Sequence, residues 1–209
     1  GANELNLRFE SPVQGGLKLV KTYTLKRGEY AVGVKHEIVN AGTAPVSPQL
    51  YLQLVRDGNK LPGESSFYST FTGPAVYTQE KKFQKVEFAD IEKGKADFEK
   101  TTTSGYVPMV QHYFASAWLL ADGVQRELFM RKVDNNLYST GMITQLPAIA
   151  PGAAQAVDAR FFAGPQEEKM LERVYPGLDL DKDYGWLTIL AKPLYWLLSQ
   201  LHRFIGNRG

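Results

Sequence analysis

The chain has 209 residues, of which 44% are hydrophobic and 22% charged, the mixture of an ordinary folded domain. Its 24 basic and 22 acidic side chains leave a formal charge of +2, so it lacks the strongly basic face with which proteins bind nucleic acid. The absence of cysteine excludes disulfides, thiolate zinc sites and a cysteine nucleophile.

The N-terminal stretch GANELNLRFESP has neither the basic segment nor the apolar segment of a signal peptide. We therefore expect the sequence to begin inside a longer protein.

Residues 1–163 predict strands separated by turns. In KTYTLKRGEYAVGVKHEIVNAG, apolar residues alternate with charged ones, which predicts a strand with one buried face formed by Tyr30, Val32, Val34 and Ile38. A tight turn at Arg27-Gly28 would join it to the strand before it. QLYLQLVRDG repeats the alternation and predicts a second buried face, formed by Leu50, Leu52 and Leu54.

The later segments predict further strands and one polar excursion. MVQHYFASAWLLADG is less regular and more apolar, as expected for a strand buried on both faces, and VQRELFMRKV and AQAVDARFFAG predict two more strands. The charge-rich segment Glu80–Lys100 predicts a solvated hairpin or a mobile loop. Many strands at short spacing predict a mostly β fold, an antiparallel β-sandwich.

The apolar period changes after this region and predicts C-terminal helices. Residues 164–176 predict a short docked helix, with Pro165 as its first residue and Pro176 as its stop. Residues 177–209 predict a linker followed by a terminal amphipathic helix.

The terminal helix is too interrupted by polar residues to span a bilayer, which takes about 20 nearly uninterrupted apolar residues. On a helix its leucines fall on one arc and its cations on the opposite arc, the pattern of a helix lying in the membrane interface. Pro193 predicts a kink near Lys192. The pattern alone also fits a helix packed on its own domain. The predicted headgroup contacts are Lys192 and Arg203, and the predicted membrane-interface residues are Trp186, Leu187, Leu190, Leu194, Trp196, Leu197, Leu198, Leu201, Phe204 and Ile205.

Motifs that carry catalysis or bind metal are missing from the sequence. KHEIVN begins like a zinc-binding helix motif, but Asn40 stands where its second histidine would be expected. There is no G-x-S-x-G nucleophile elbow and no phosphate-binding loop. We therefore predict no enzymatic activity, no catalytic residue, no metal site and no cofactor.

Several segments together resemble one protein family along nearly the whole chain. NELNL, KTYTLKRGEYAVGV, FTGPAVYT, YVPMVQHYFASAW, FFAGPQEEKM and LDLDKDYGWLTILAKPLYWLLSQLHRFIGN resemble, in this order, the large periplasmic domain of bacterial YidC membrane protein insertases. The resemblance implies a twisted, mutarotase-like β-supersandwich, then a helix, then an amphipathic interfacial helix that leads to a transmembrane segment absent from this chain.

The resemblance also implies a function at the periplasmic face of the bacterial inner membrane. The domain would support the insertion and folding of inner-membrane proteins by scaffolding and by contacts with nascent clients, with the Sec translocon and SecDF as further candidate partners. The insertase groove of the family would lie beyond Gly209. The alternative is a carbohydrate-binding or aldose-epimerase-like soluble protein on the same sandwich, although the apolar C-terminal stretch is unexpected in such a protein.

Overall fold

The fold was analysed in a computed structural model, which describes residues 3–59, 71–111 and 114–165. Within these ranges the chain forms twelve β-strands and one short helix. The elements are β1 Glu4–Glu10, β2 Leu17–Lys26, β3 Ala31–Asn40, β4 Gln49–Asp57, β5 Thr72–Thr78, β6 Lys82–Lys85, α1 Phe88–Glu92, β7 Thr101–Thr102, β8 Val107–Gln111, β9 Phe114–Leu120, β10 Arg126–Asp134, β11 Leu137–Gln145 and β12 Ala154–Pro165.

The strands form two antiparallel sheets. The large sheet has eight strands in the order β1-β2-β3-β12-β9-β8-β5-β6, and the small sheet has four in the order β4-β11-β10-β7. This arrangement confirms the predicted antiparallel, mostly β fold. The predicted C-terminal helices lie outside the described residues. No helix in the described ranges is long and apolar enough to cross a bilayer.

The main hydrophobic core contains residues from both sheets. Leu52, Leu128 and Met142 of the small sheet are at most 1% exposed, and they belong to one cluster with Leu120 and Ala159 of the large sheet. Full burial of an aliphatic side chain of this size contributes roughly 1.5–3 kcal/mol, so this cluster fixes one sheet against the other.

The predicted inward faces of β3 and β4 are largely correct. Val34 and Ile38 are buried, and Leu52 is buried at the centre of β4. Tyr30 is the exception, because it is 45% exposed and precedes β3. Its ring lies beside β12 at Gly164, where an added Cβ would approach it to 2.8 Å, so Tyr30 packs against neighbouring backbone outside the core.

The prediction of a single strand over MVQHYFASAWLLADG is wrong. The segment contributes to two paired strands, β8 and β9, which are separated at residues 112–113. Val107 to Val110 are all buried, whereas β9 alternates between more and less buried positions. Two adjacent, largely covered strands therefore produce one mostly apolar stretch, which does not mark the reversal between them.

The segment Glu80–Lys100 supplies only the second strand of a hairpin, β6, which pairs with β5 before the segment, and it also contains α1. Ile91 of α1 is buried in a cluster with Val86 and Tyr138, so the segment is anchored to the sandwich rather than wholly solvated. At the other predicted boundary, β12 continues through Pro165 and pairs there with Phe114. Pro165 is thus a strand residue and not the first residue of a helix.

Candidate functional site

Part of the large sheet extends beyond the small sheet and leaves an open apolar surface. β4 contacts β9 and β11 contacts β8, and Leu50 of β4 packs against the cluster that contains Ile38 of β3. The strands β1 and β2 and the Val32 end of β3 therefore continue past the outer edge of β4. A cavity of about 520 Å³ opens there, and we call it the apolar groove. It is lined by Leu7, Lys21, Tyr23, Leu25, Val32, Val34, Gln53, Leu54, Trp118 and Phe161.

The floor of the groove follows from strand alternation and register. Leu7 of β1 lies opposite Tyr23 of β2, and Tyr23 lies opposite Val34 of β3. Residues directly opposite each other in antiparallel strands project from the same face of the sheet. Because side chains alternate along each strand, Leu25 joins Tyr23 on this face. Three neighbouring strands thereby form one continuous apolar floor.

The inner wall of the groove is aromatic and ties the two sheets together. The ring centroids of Trp118 and Phe161 lie 5.0 Å apart on neighbouring strands of the large sheet. The Trp118 indole N–H donates a hydrogen bond of 3.1 Å to the backbone carbonyl of Gln53 in β4. This bond holds the edge of the small sheet over the floor of the large one.

The outer part of the floor is apolar surface left in water. Leu7 is 41% exposed and Leu25 is 37% exposed. A second opening of about 560 Å³ adjoins the groove, shares Lys21 and Tyr23 with it, and contains Phe9. Contiguous exposed apolar surface with polar residues at its rim is characteristic of an interaction site.

The charged groups at the rim of the groove are either ion-paired or positively charged. Glu10 is ion-paired with Lys18 and Arg8, and the hydrogen bond from Lys18 is the main reason that the pKa of Glu10 is lowered. Lys21 has no ion-pair partner among the described residues. The site can therefore accept an apolar ligand that carries a negative charge near Lys21.

A buried histidine lies beside the floor, on the same face of the large sheet. His36 is opposite Lys21 in the sheet, its ring centroid is 6.0 Å from that of Trp118, and its Nδ1 atom has no hydrogen-bond partner in the described part of the chain. Burial lowers the pKa of His36 to about 4, and the Lys21 ammonium acts in the same direction. His36 is therefore neutral at pH 7 and serves as part of the packed wall.

The described lining of the groove contains no carboxylate and no histidine. In the described part of the chain, no group of three or more histidine, aspartate or glutamate side chains is placed to hold a metal ion.

The residues predicted at the membrane interface, Trp186 to Ile205 with Lys192 and Arg203, all lie outside the described residues. The groove residues were not predicted as a site. Alternation in ELNLRFE, with Leu5, Leu7 and Phe9 on one face, was the available signal. Alternation predicts an apolar face, but it does not reveal whether another sheet covers that face.

A profile of the family described as "YidC periplasmic domain" matches residues 1–197. Proteins named "Membrane protein insertase YidC" are 54% identical over 210 residues in Burkholderia thailandensis and 56% identical over 207 residues in Burkholderia ambifaria. These alignments cover 100% and 99% of this chain, which spans 37% of the length of each relative.

Solved structures with a similar arrangement of strands are more distant. A galactose mutarotase related enzyme from Lactobacillus acidophilus has a TM-score of 0.46 at 7% identity, over 78% of this chain and 68% of that one. A putative aldose 1-epimerase from Escherichia coli K12 has a TM-score of 0.38 at 10% identity, over 78% of this chain and 66% of that one. The sequence relatives and the matched profile, in contrast, extend over nearly the whole chain. The chain belongs to the family of YidC periplasmic domains.

Proposed function

We propose that this chain is the periplasmic domain of an inner-membrane protein insertase and that it supports the insertion and folding of inner-membrane proteins by contacting nascent clients. The apolar groove is the observation that carries the client contact, because it exposes apolar side chains on a rigid two-sheet frame. Membership of the family supports the setting, namely a domain on the periplasmic side of the inner membrane. The Sec translocon and SecDF are further proposed partners.

Site-specific photo-crosslinking in the full-length insertase tests the client contact. A photo-reactive residue at Leu25, which is 37% exposed in the groove, should form adducts with a nascent inner-membrane protein during its insertion. The matched control places the same residue at Val133, which is 49% exposed on β10 and does not line the groove. Client adducts that are absent at Leu25, or equally abundant at both positions, would contradict the proposal.

We propose further that the residues after Pro165, up to residue 176, form a short docked helix, and that 177–209 form a linker and an interfacial helix that leads to a transmembrane segment. The apolar arc would enter the bilayer interface, with Lys192 and Arg203 at the headgroups. Burial of one leucine contributes roughly 1.5–3 kcal/mol, so several together favour docking.

Vesicle flotation tests this membrane contact. The unchanged chain should float with vesicles that contain anionic lipid, and the variant with Leu194→Ser, Leu198→Ser and Leu201→Ser should not. The control changes the polar arc instead, as Thr188→Ala, Ser199→Ala and His202→Ala, and should float like the parent. Flotation of the leucine variant at the parental level would make the segment an ordinary packing helix.

The proposal assigns no catalysis and no cofactor to the chain. Its nearest enzymatic alternative, aldose epimerisation, is tested directly by incubating the chain with an aldose and following mutarotation. Epimerisation above background, abolished by changing one acidic or histidine side chain, would overturn this part of the proposal.

A further inference from the structure

The outer edge of β4 carries backbone groups that pair with no other described strand. Among the described residues β4 pairs only with β11. The Gly58 N–H donates to the Asn136 carbonyl at 3.4 Å, and the Leu146 N–H donates to the Pro48 carbonyl at 3.0 Å, so the even-numbered residues of β4 face β11. Backbone groups of successive residues in an antiparallel pair point to opposite sides. Those of the odd-numbered residues, Tyr51, Gln53 and Val55, therefore point to the free edge.

This free edge faces the apolar groove. Trp118 of the large sheet reaches it and donates to the Gln53 carbonyl, which is the contact that fixes the edge above the floor. Strands pair at about 4.8 Å and stacked sheets lie about 10 Å apart. A strand placed beside β4 would thus lie over the uncovered floor instead of in open solvent.

The side chains of such a strand would meet chemically distinct surroundings on its two faces. Those on the inner face would continue the row of Leu52 and Leu54 and contact the floor at Tyr23 and Leu25. Lys21 would lie within reach of the same face and favours one carboxylate there. Those on the outer face would remain in water beside Tyr51 and Val55, which are about half exposed.

We propose that the apolar groove binds an extended polypeptide segment as a fifth strand of the small sheet, hydrogen-bonded to the backbone groups of Tyr51 and Val55 and to the Gln53 N–H, since the Gln53 carbonyl already accepts from Trp118. The segment carries apolar side chains at alternate positions and one acidic side chain that pairs with Lys21. Main-chain pairing supplies affinity that tolerates different sequences, and the floor selects the alternation. This inference rests on the proposed function and specifies how a client segment is held. The other open edge of this region, β1, is less suitable because a strand added there would leave the floor uncovered.

The test uses a fluorescent nonapeptide with valine at its second, fourth and eighth positions, aspartate at the sixth and threonine elsewhere. Its binding to the 209-residue chain is followed by fluorescence anisotropy. Two further peptides are N-methylated, one on the third and seventh residues and the other on the fourth and eighth. If the added strand is antiparallel, the threonine amides face β4, and if it is parallel, the valine amides do.

If the peptide binds by strand addition, the two methylated peptides must differ in affinity for the chain. One pattern should lower the affinity by about tenfold or more, because it removes two backbone hydrogen bonds, while the other should leave it nearly unchanged. Equal affinities for the two methylated peptides, or no binding of the unmodified peptide, would overturn the proposal. This comparison needs no protein variant, so it is independent of any folding defect.

Two protein variants test the floor. Leu25→Glu, at a partly exposed position, should weaken binding of the unmodified peptide while leaving the thermal unfolding of the chain close to that of the parent. Lys21→Glu should weaken it as well, and a peptide with lysine at its sixth position should recover the loss. Binding unchanged by both variants would contradict the proposal.

The two proposals can fail separately. If clients form adducts at Leu25 but both methylated peptides bind equally well, clients touch the groove without strand pairing. The proposed function would then stand and this inference would fail.

Discussion

Arg126 is the residue whose replacement should affect the stability of the sandwich most informatively. It is 1% exposed at the start of β10, and its guanidinium points back into the loops at one end of the sheets. It donates hydrogen bonds to the backbone carbonyls of Thr103, Gly105, Leu120, Ala121 and Val124. One side chain thus joins the carbonyls of two chain reversals.

The expected cost follows from the number and kind of these bonds. A hydrogen bond to a charged group contributes about 1.5–3 kcal/mol, and contributions within one network are not additive. Arg126→Met keeps the aliphatic bulk but removes every donor, and we expect it to lower the free energy of unfolding by about 3–5 kcal/mol. Arg126→Lys keeps the charge and three donors, although without the planar fork, and should cost about 1–3 kcal/mol.

Urea unfolding of the 209-residue chain, followed by circular dichroism in the strand region, measures both values. The control is Arg131→Met, which removes an arginine that lies 4.5 Å over the Phe129 ring on the same strand and should cost no more than about 1 kcal/mol. Arg126→Met with a midpoint equal to that of the control, or Arg126→Lys less stable than Arg126→Met, would refute the reasoning.

Two further predictions concern pH and backbone conformation. Because burial holds the pKa of His36 near 4, the unfolded state binds a proton that the folded state does not, so stability should fall as pH drops from 6.5 to 4, by at most about 3 kcal/mol. His36→Leu should remove this loss, and a difference between parent and variant that does not change with pH would contradict it. Gly105 has φ of +83°, and an added Cβ would lie 2.1 Å from the Tyr77 carbonyl oxygen, so Gly105→Ala should cost about 3 kcal/mol or more in a thermal or urea unfolding experiment. Gly152→Ala shares the positive φ but meets no atom within 4 Å and should cost only about 1–2 kcal/mol, so equal losses for the two variants would show that the close contact is unimportant.

The sequence predicted those features of the fold that depend on neighbouring residues. The alternation of Leu50, Leu52 and Leu54 identified the inward face of β4, because side chains on a strand alternate whatever lies around it. The same rule located Val34 and Ile38 on the inward face of β3. It was insufficient for the apolar run from Met109, where two paired strands succeed each other without a conventional turn signal.

The groove could not be predicted because it depends on contacts distant in sequence. Leu25 and Leu52 show the same local alternation, yet one remains 37% exposed and the other is 1% exposed. The difference arises from the unequal width of the two sheets, which is set by the pairing of β12 between β3 and β9. The resemblance to the family predicted the setting of the domain, but it did not identify the surface that the domain exposes.

Residue-resolved amide hydrogen exchange along β4 tests the central claim most directly. In the free chain, the amides of Leu52 and Leu54, which face β11, should exchange slowly, and those of Tyr51, Gln53 and Val55, which face the free edge, should exchange fast. Saturation with the unmodified nonapeptide should slow the second set and leave the first set unchanged. Edge amides that are already protected in the free chain, or that exchange equally fast when the peptide is bound, would contradict the account.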